Sequence, residues 1–213
     1  MTMLKVWGRI NSVNVEKVIW TAQELGLPFE RIEAGGAFGV VDTPEFRARN
    51  PVGRVPVIDD DGFVLWESNA IVRYLATRHG LGTLMPVDPR AQAEAGRWMD
   101  FQLGTVAAPL SALTWGIVRT APEKRDPKAL APAFANLGAA LAIVEAGLAG
   151  RTYLVGESLT VADIPLGCCA HRWFNMPLEG TGLERPDLPN LAAWYGRLKA
   201  RPAVAGLMPT PLT

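Results

Sequence analysis

The stretch from Asn50 to Ser68, NPVGRVPVIDDDGFVLWES, constrains the fold more than any other part of the chain. Asn50-Pro51 and Gly53 form a turn signal, and Arg54-Val55-Pro56-Val57-Ile58 is a short β-branched run broken by one proline. Proline has no N–H for a sheet ladder, so Pro56 is expected to open an edge strand and to hold Val55 extended before it. The free N–H and C=O of such an extended residue can pair with a peptide-like ligand as a neighbouring strand would. Asp59-Asp60-Asp61-Gly62 is a hairpin turn, because Asp-Gly supplies the positive φ angles it needs, and Phe63–Trp66 returns as the partner strand. Directly after it, Ile71, Tyr74 and Leu75 fall on one face of a helix. Ser68 is expected to cap that helix, where free N–H groups make an anion site. A strand edge for a peptide backbone beside a helix N-terminus for a carboxylate points to a small peptide ligand with a free carboxylate.

The flanking residues supply the rest of an α/β unit. Leu4–Trp7 reads as a buried strand, and Ser12 to Gly26 as a helix with Ser12 at its start and Gly26 at its stop. Val15, Val18, Ile19, Ala22 and Leu25 recur at helical spacing, which leaves Glu16, Lys17, Gln23 and Glu24 for the outer face. Leu27–Glu33 is a second strand; Gly35–Gly39 is a glycine-rich loop, and Thr43-Pro44 starts a short helix. Strand–helix–strand followed by hairpin and helix is the βαβ–ββα order of a thioredoxin-like domain. That domain is expected over residues 1–80, a Gly- and Pro-containing linker over 81–87, and an all-helical domain over 88–213. The helical part opens at Asp88-Pro89 with a long helix bent at Pro109 and reaching Trp115. Helices follow over 127–149 and 190–200. Between them, Thr160 and Asp163 have capping-box spacing, with Leu159 and Ile164 at the positions of a hydrophobic staple.

Charge and cysteine content narrow the function classes. The formal net charge is +0, so no electrostatic footprint points to nucleic acid or an anionic membrane. No unbroken apolar run has the length of a membrane span, and the N-terminus lacks the apolar core of a secretion signal. Cys168 and Cys169 are adjacent and cannot staple distant segments, which fits a reduced cytoplasmic setting. They sit in an apolar stretch as expected core residues. His79 and His171 show no metal-ligand spacing and are expected at the surface or at a helix end, so no metal is expected.

The pairing of N-P-x-G-R-V-P-V with E-S-N-A-I strongly resembles the glutathione site of soluble glutathione S-transferases, of the bacterial, theta-like kind. The resemblance covers essentially the whole chain, including the S/T-x-x-D box at Thr160. It implies a cis Pro56, a Val55 that pairs with the cysteinyl backbone of glutathione, and a Glu67-Ser68 pair that holds the γ-glutamyl carboxylate. It places the thiol-activating hydroxyl at Ser12, with Asn14 contributing, although each residue also reads as an ordinary cap or surface polar residue. The only tyrosine before the linker is Tyr74, inside a helix, which argues against a tyrosine mechanism. The first domain has no cysteine for a mixed-disulfide route. No basic residue lies between Ile32 and Phe46, so the glycyl carboxylate is left to Arg54 or, less favourably, Arg9. Ile10, Trp115, Arg119, Trp173 and Phe174 are candidate walls for the second substrate. The activity implied is conjugation of the glutathione thiolate to a hydrophobic electrophile by a cytoplasmic homodimer. A glutathione-dependent disulfide or peroxide reductase, or a non-catalytic glutathione-binding module, would share the same motifs.

Overall fold

A computed structural model of the chain describes residues 3–208 and 212. Strand β1 (Leu4–Trp7) buries Leu4 and Val6 and exposes Lys5, the alternation of a half-covered strand. It runs parallel to β2 (Phe29–Ile32) across helix α1 (Val13–Glu24), and antiparallel to β3 (Val57–Asp60). The hairpin then adds β4 (Phe63–Trp66), which gives the order β2-β1-β3-β4 with Val6 opposite Ile58 and Ile58 opposite Leu65. Asp61 and Gly62 both take positive φ, as the short turn requires. Helix α2 (Pro44–Arg49) is capped by Thr43, whose hydroxyl accepts from the Phe46 N–H at 3.2 Å. Helix α3 (Ser68–His79) completes the thioredoxin-like unit.

Two local expectations are corrected here. Strand β3 is interior, not an edge, because edges are set by the sheet order and β3 lies between β1 and β4. Pro56 stands one residue before the ladder begins, after a cis Val55–Pro56 bond, so its missing N–H removes no ladder partner. Ser68 is the first residue of α3 rather than its cap. Glu67 occupies the cap position with φ 72°, and the buried Ser68 hydroxyl is committed to side chains outside the helix.

The second half is helical: α4 (Pro89–Phe101), α5 (Ala107–Leu113), α6 (Pro127–Gly147), α7 (Asp163–Asn175) and α8 (Pro189–Lys199). A π turn over Gln102–Val106 joins α4 to α5, and a second over Thr114–Val118 ends the run. Pro109 comes four residues after Thr105, so the lost N–H falls where the helix has already shifted its hydrogen-bond register. Pro89–Val118 and Pro127–Gly147 are long and apolar enough, by length and mean hydropathy, to cross a membrane. That overturns the expectation that no segment approaches this length: alanine, interspersed with leucine, isoleucine and valine, raises the average without forming an unbroken run of large apolar residues. In the fold these helices bury Leu113, Ile117, Leu137 and Leu141 in one cluster with Trp20, Trp173 and Trp194.

Helix α1 is covered on both sides, by α3 and by α7. Its expected polar face is therefore only partly exposed: Gln23 faces solvent, whereas Glu16 and Lys17 are buried. His171 is also buried, with Nδ1 2.7 Å from the Tyr195 hydroxyl, and so is not the surface histidine expected; His79 is exposed at the end of α3.

At the start of α7 the Asp163 carboxylate accepts from the Thr160 N–H (2.9 Å) and hydroxyl (3.2 Å) with one oxygen. The other accepts from the Leu154 N–H (3.0 Å) and the Trp194 indole (2.9 Å). The capping box is thus half reciprocal, since the Thr160 hydroxyl accepts from Ala162 rather than from Asp163. Asp163→Ala leaves these buried donors without an acceptor and is expected to cost about 3 kcal/mol or more. Urea unfolding measures it, and a loss below about 1 kcal/mol would show that water or a neighbouring group replaces the carboxylate.

Candidate functional site

Between the two halves lies a cavity of about 510 Å³. Its floor is the start of α1, one wall is Gly35-Gly36 with Arg54-Val55, and the facing wall is α5 and its π turns. Ser12 is at the N-cap position of α1, and its carbonyl accepts from the Glu16 N–H at 2.9 Å. Its hydroxyl makes no capping hydrogen bond and lines the cavity. Ser12 is therefore at the cap without being used as one.

Asn14, exposed on the first turn, accepts at Oδ1 from the Ser68 hydroxyl at 3.3 Å. Behind Ser68 stands the Lys17 ammonium, donating to Ser68 Oγ (3.4 Å), Asn69 Oδ1 (3.4 Å) and Gln102 Oε1 (2.9 Å). Asn69 in turn donates to the Met99 carbonyl and to Gln102, and Gln102 donates to Cys169 Sγ at 3.5 Å. Burial pushes the Lys17 amine down, against the opposing pull of nearby anionic groups that include Glu67. The network ties the start of α1 to the start of α3 through a buried cation.

Asn50 holds the Val55 loop in place. Its amide donates to the Arg54 carbonyl at 2.7 Å, and its side-chain oxygen accepts from the Val52 N–H at 3.0 Å. Gly35, at φ +78°, packs so near Val55 that a Cβ there would meet the valine methyls at 3.3 Å. The cavity is kept open at this wall by a glycine.

Seven expected site residues share the cavity: Arg9, Ser12, Asn14, Arg54, Val55, Trp115 and Arg119. Pro56 is buried behind Val55; Glu67 and Ser68 stand at the head of α3 beside Asn14. Trp173 is not a wall. It is 1% exposed and stacks on Phe134 at 4.9 Å in the helical core, while Phe174 stacks on Tyr195. Ile10 is exposed and lies outside the lining. Both were placed by sequence proximity, and the rotation of α7 and of the β1–α1 loop turns them elsewhere.

Arg172, Gln102 and Cys169 line the cavity and were missed. Arg172 holds Glu16 in a bidentate pair at 2.7 and 2.8 Å and reaches the Asn11 carbonyl at 3.2 Å. Burial pulls the Arg172 guanidinium down, but Glu16 outweighs it and pushes it up; burial pushes the Glu16 carboxyl up, against the opposing pull of Arg172. Arg9 is pushed down by burial and by the neighbouring Arg119 and Arg172 charges. The available signal was Glu16-Lys17 breaking an otherwise apolar helix start, and a lone arginine in the apolar run of α7.

A thioredoxin-like domain whose cis-proline loop and two helix N-termini face a helical domain across a cleft defines a class of two-domain enzymes that hold a thiol peptide. Residues 2–77 match the glutathione S-transferase N-terminal domain family, and residues 127–197 match the glutathione S-transferase C-terminal domain family. The chain belongs to the glutathione S-transferase family and is an enzyme of the transferase class. It is 40% identical over 213 residues to Glutathione S-transferase GstB of Escherichia coli strain K12, covering 99% of this chain and all of that one. It is 31% identical to Glutathione S-transferase 4 of Zea mays, over 97% and 93% of the two chains. The fold superposes with a TM-score of 0.93 on the theta class glutathione S-transferase of Xanthomonas axonopodis pv. citri with glutathione bound, at 46% identity over the full length of both.

Lys17 bears on both stability and binding. Lys17→Met takes the donor away from the buried Ser68, Asn69 and Gln102 acceptors, so its thermal midpoint should fall, by the equivalent of about 1–3 kcal/mol. Loss of the cation beneath Ser68 should raise the KM for glutathione on the order of tenfold. Steady-state kinetics beside a melting curve measures both; an unchanged KM would make Lys17 purely structural.

Proposed function

We propose that the protein ionises the glutathione thiol at Ser12 and directs the thiolate onto an electrophile held in the cavity. The observation that carries this reading is the Ser12 hydroxyl, on the cavity wall at the N-terminus of α1 and not spent on capping. A free thiol has a pKa of about 8.5, so little of it is thiolate at neutral pH. Lowering that by about two units takes about 2.7 kcal/mol of preferential stabilisation of the anion. A hydroxyl donor and the free N–H groups of the first turn of α1 supply interactions of that size. Asn14 supports them from the same turn.

The rest of the tripeptide follows from the charges on the page. Val55 offers its backbone to the cysteinyl unit, in the manner of a strand edge. Neither its N–H nor its C=O has a backbone partner among the described residues. Ser68, backed by Lys17, takes the γ-glutamyl carboxylate at the head of α3. Glu67 is an acceptor only, so its partner is the γ-glutamyl ammonium rather than the carboxylate first assigned to both residues. Arg54, on the rim beside Val55, takes the glycyl carboxylate. Leu110, Val13 and Trp115 give the second substrate an apolar surface. A reduced cytoplasmic setting suits the two buried free thiols.

The state of assembly we infer is a homodimer. Leu103 on the outer side of the first π turn and Phe63 at the sheet edge are 56% and 48% exposed, leaving apolar surface on both halves of the chain. Sedimentation equilibrium should return twice the 23.0 kDa chain mass; a single-chain mass removes this inference.

The ultraviolet absorbance of bound glutathione, followed against pH, tests the chemistry. The wild type should form thiolate well below pH 8, and Ser12→Ala should return the midpoint toward that of free glutathione, a change of one unit or more. Tight binding without any shift in the wild type would remove conjugation and bring forward the reductase reading.

A further inference from the structure

We propose that the electrophile this site favours is a small anion: a carboxylate-bearing alkylating agent whose charge is received by Arg9 and Arg119. The inference rests on the reading above and adds the substrate class. The residues lining the cavity include four arginines, Arg9, Arg54, Arg119 and Arg172, and no aspartate or glutamate. The whole chain has equal numbers of acids and bases, 21 of each, so this is a local concentration of charge. Arg172 is neutralised by Glu16, and Arg54 stands beside Val55, where the glycyl carboxylate belongs. The γ-glutamyl carboxylate has Ser68 and Lys17. Two cations are left over.

Arg9 and Arg119 have no carboxylate within ion-pair distance among the described residues. The Arg9 guanidinium donates to Asn11 Oδ1 at 2.6 Å, and that of Arg119 lies 4.6 Å over the Trp115 ring. Each guanidinium is thereby oriented without a carboxylate partner of its own; Glu16, committed to Arg172, offsets only part of the repulsion that Arg9 feels from Arg119 and Arg172 beside the cavity that Ser12 lines. An anion between them relieves that repulsion and gains charge-assisted hydrogen bonds. The same contact removes a barrier to reaction, because a thiolate and a carboxylate-bearing electrophile repel each other in water. In the step itself the glutathione sulfur attacks the carbon next to the carboxylate. A C–S bond forms, the bond from carbon to halide breaks, the halide leaves with the electron pair, and the thiol proton has passed to solvent.

Iodoacetate and iodoacetamide are nearly isosteric and differ by this charge, which makes them the probes. For each, the rate with enzyme and glutathione is divided by the rate with free glutathione at the same pH. The acceleration for iodoacetate should exceed that for iodoacetamide by roughly tenfold or more, and the excess should shrink as salt is raised. Arg119→Gln should lower the iodoacetate-to-iodoacetamide ratio by about tenfold, and Arg119→Lys should restore most of it. Arg9→Gln should move the ratio in the same direction as Arg119→Gln. Equal accelerations, or a ratio indifferent to both glutamine variants, overturn the inference. Absence of acceleration for either probe, while bound glutathione still ionises at low pH, also overturns it and leaves thiol activation standing. Absence of acceleration together with an unshifted thiol brings down the reading beneath it as well.

Discussion

The structure depends on how helix α1 is buried. A helix that packs on the sheet of its own domain and is then covered by a second domain keeps little surface for solvent, so most of its polar side chains must find partners inside. Glu16 is paired with Arg172, Lys17 is held by Ser68, Asn69 and Gln102, and Glu24 is gripped by Arg201 and by the Trp20 indole. Each of the three sits on a different element of the partner structure: α7, the α3–α4 contact and the segment after α8. Desolvating these ions is expensive, and the mutual attraction recovers it only when the geometry is close to ideal. The seam therefore tolerates one rotation and one axial position of α1 against the helical domain.

That rotation sets where Ser12 meets the cavity. The serine precedes the first turn of α1, and Glu16 lies one turn later on the same helix, so the Arg172 pair holds the start of α1 against α7. Arg172 also reaches the Asn11 carbonyl, fixing the residue before Ser12. On the other flank Lys17 sits under Ser68, so the two helix N-termini that the tripeptide would bridge share one buried cation. The Arg172–Glu16 flank is neutral as a pair, so it is Lys17 on the other flank whose charge favours an ionised sulfur over a neutral one. Stability of the domain contact and acidity of the thiol are two consequences of the same residues.

Most of the fold was legible because its signals are local. Asp61-Gly62 takes the positive φ pair of the hairpin, Thr43 caps α2, and Asp163 accepts the Thr160 N–H three residues back. Where the reading failed, the deciding partner lay far along the chain. Glu16 and Lys17 look like a solvent face until Arg172, 156 residues on, and Gln102, 85 residues on, are brought against them. Pro56 looks like an edge proline because sheet order is not written near it. Trp173 looks like a pocket aromatic because nothing short-range says that α7 turns it toward Phe134 and leaves Cys169 and Arg172 to the cavity. The candidate site shows the same division: the loop motif around Val55 and Glu67-Ser68 is contiguous and is read directly off the sequence, whereas Arg9, Arg54, Arg119 and Arg172 lie far apart in the chain and meet only in the fold.

The same division explains why the two halves of the site do different jobs. The half proposed to receive the tripeptide combines backbone groups with a short motif: the Val55 edge, the α3 N-terminus and the Asn50-pinned loop. Backbone donors cannot be exchanged by substitution, so this half can hold one ligand through large changes elsewhere in the chain. The half that faces the electrophile is made of side chains on α5, its second π turn and the β1–α1 loop. A π turn presents its residues one position out of helical phase, and here it carries Trp115 and leads into Arg119, whose direction it sets. Replacing one side chain on that turn changes what the cavity accepts without touching the glutathione frame or the α1 seam. On the proposed reading, glutathione use is a property of the thioredoxin-like half, and electrophile choice is a property of a few arginines and a tryptophan held against it.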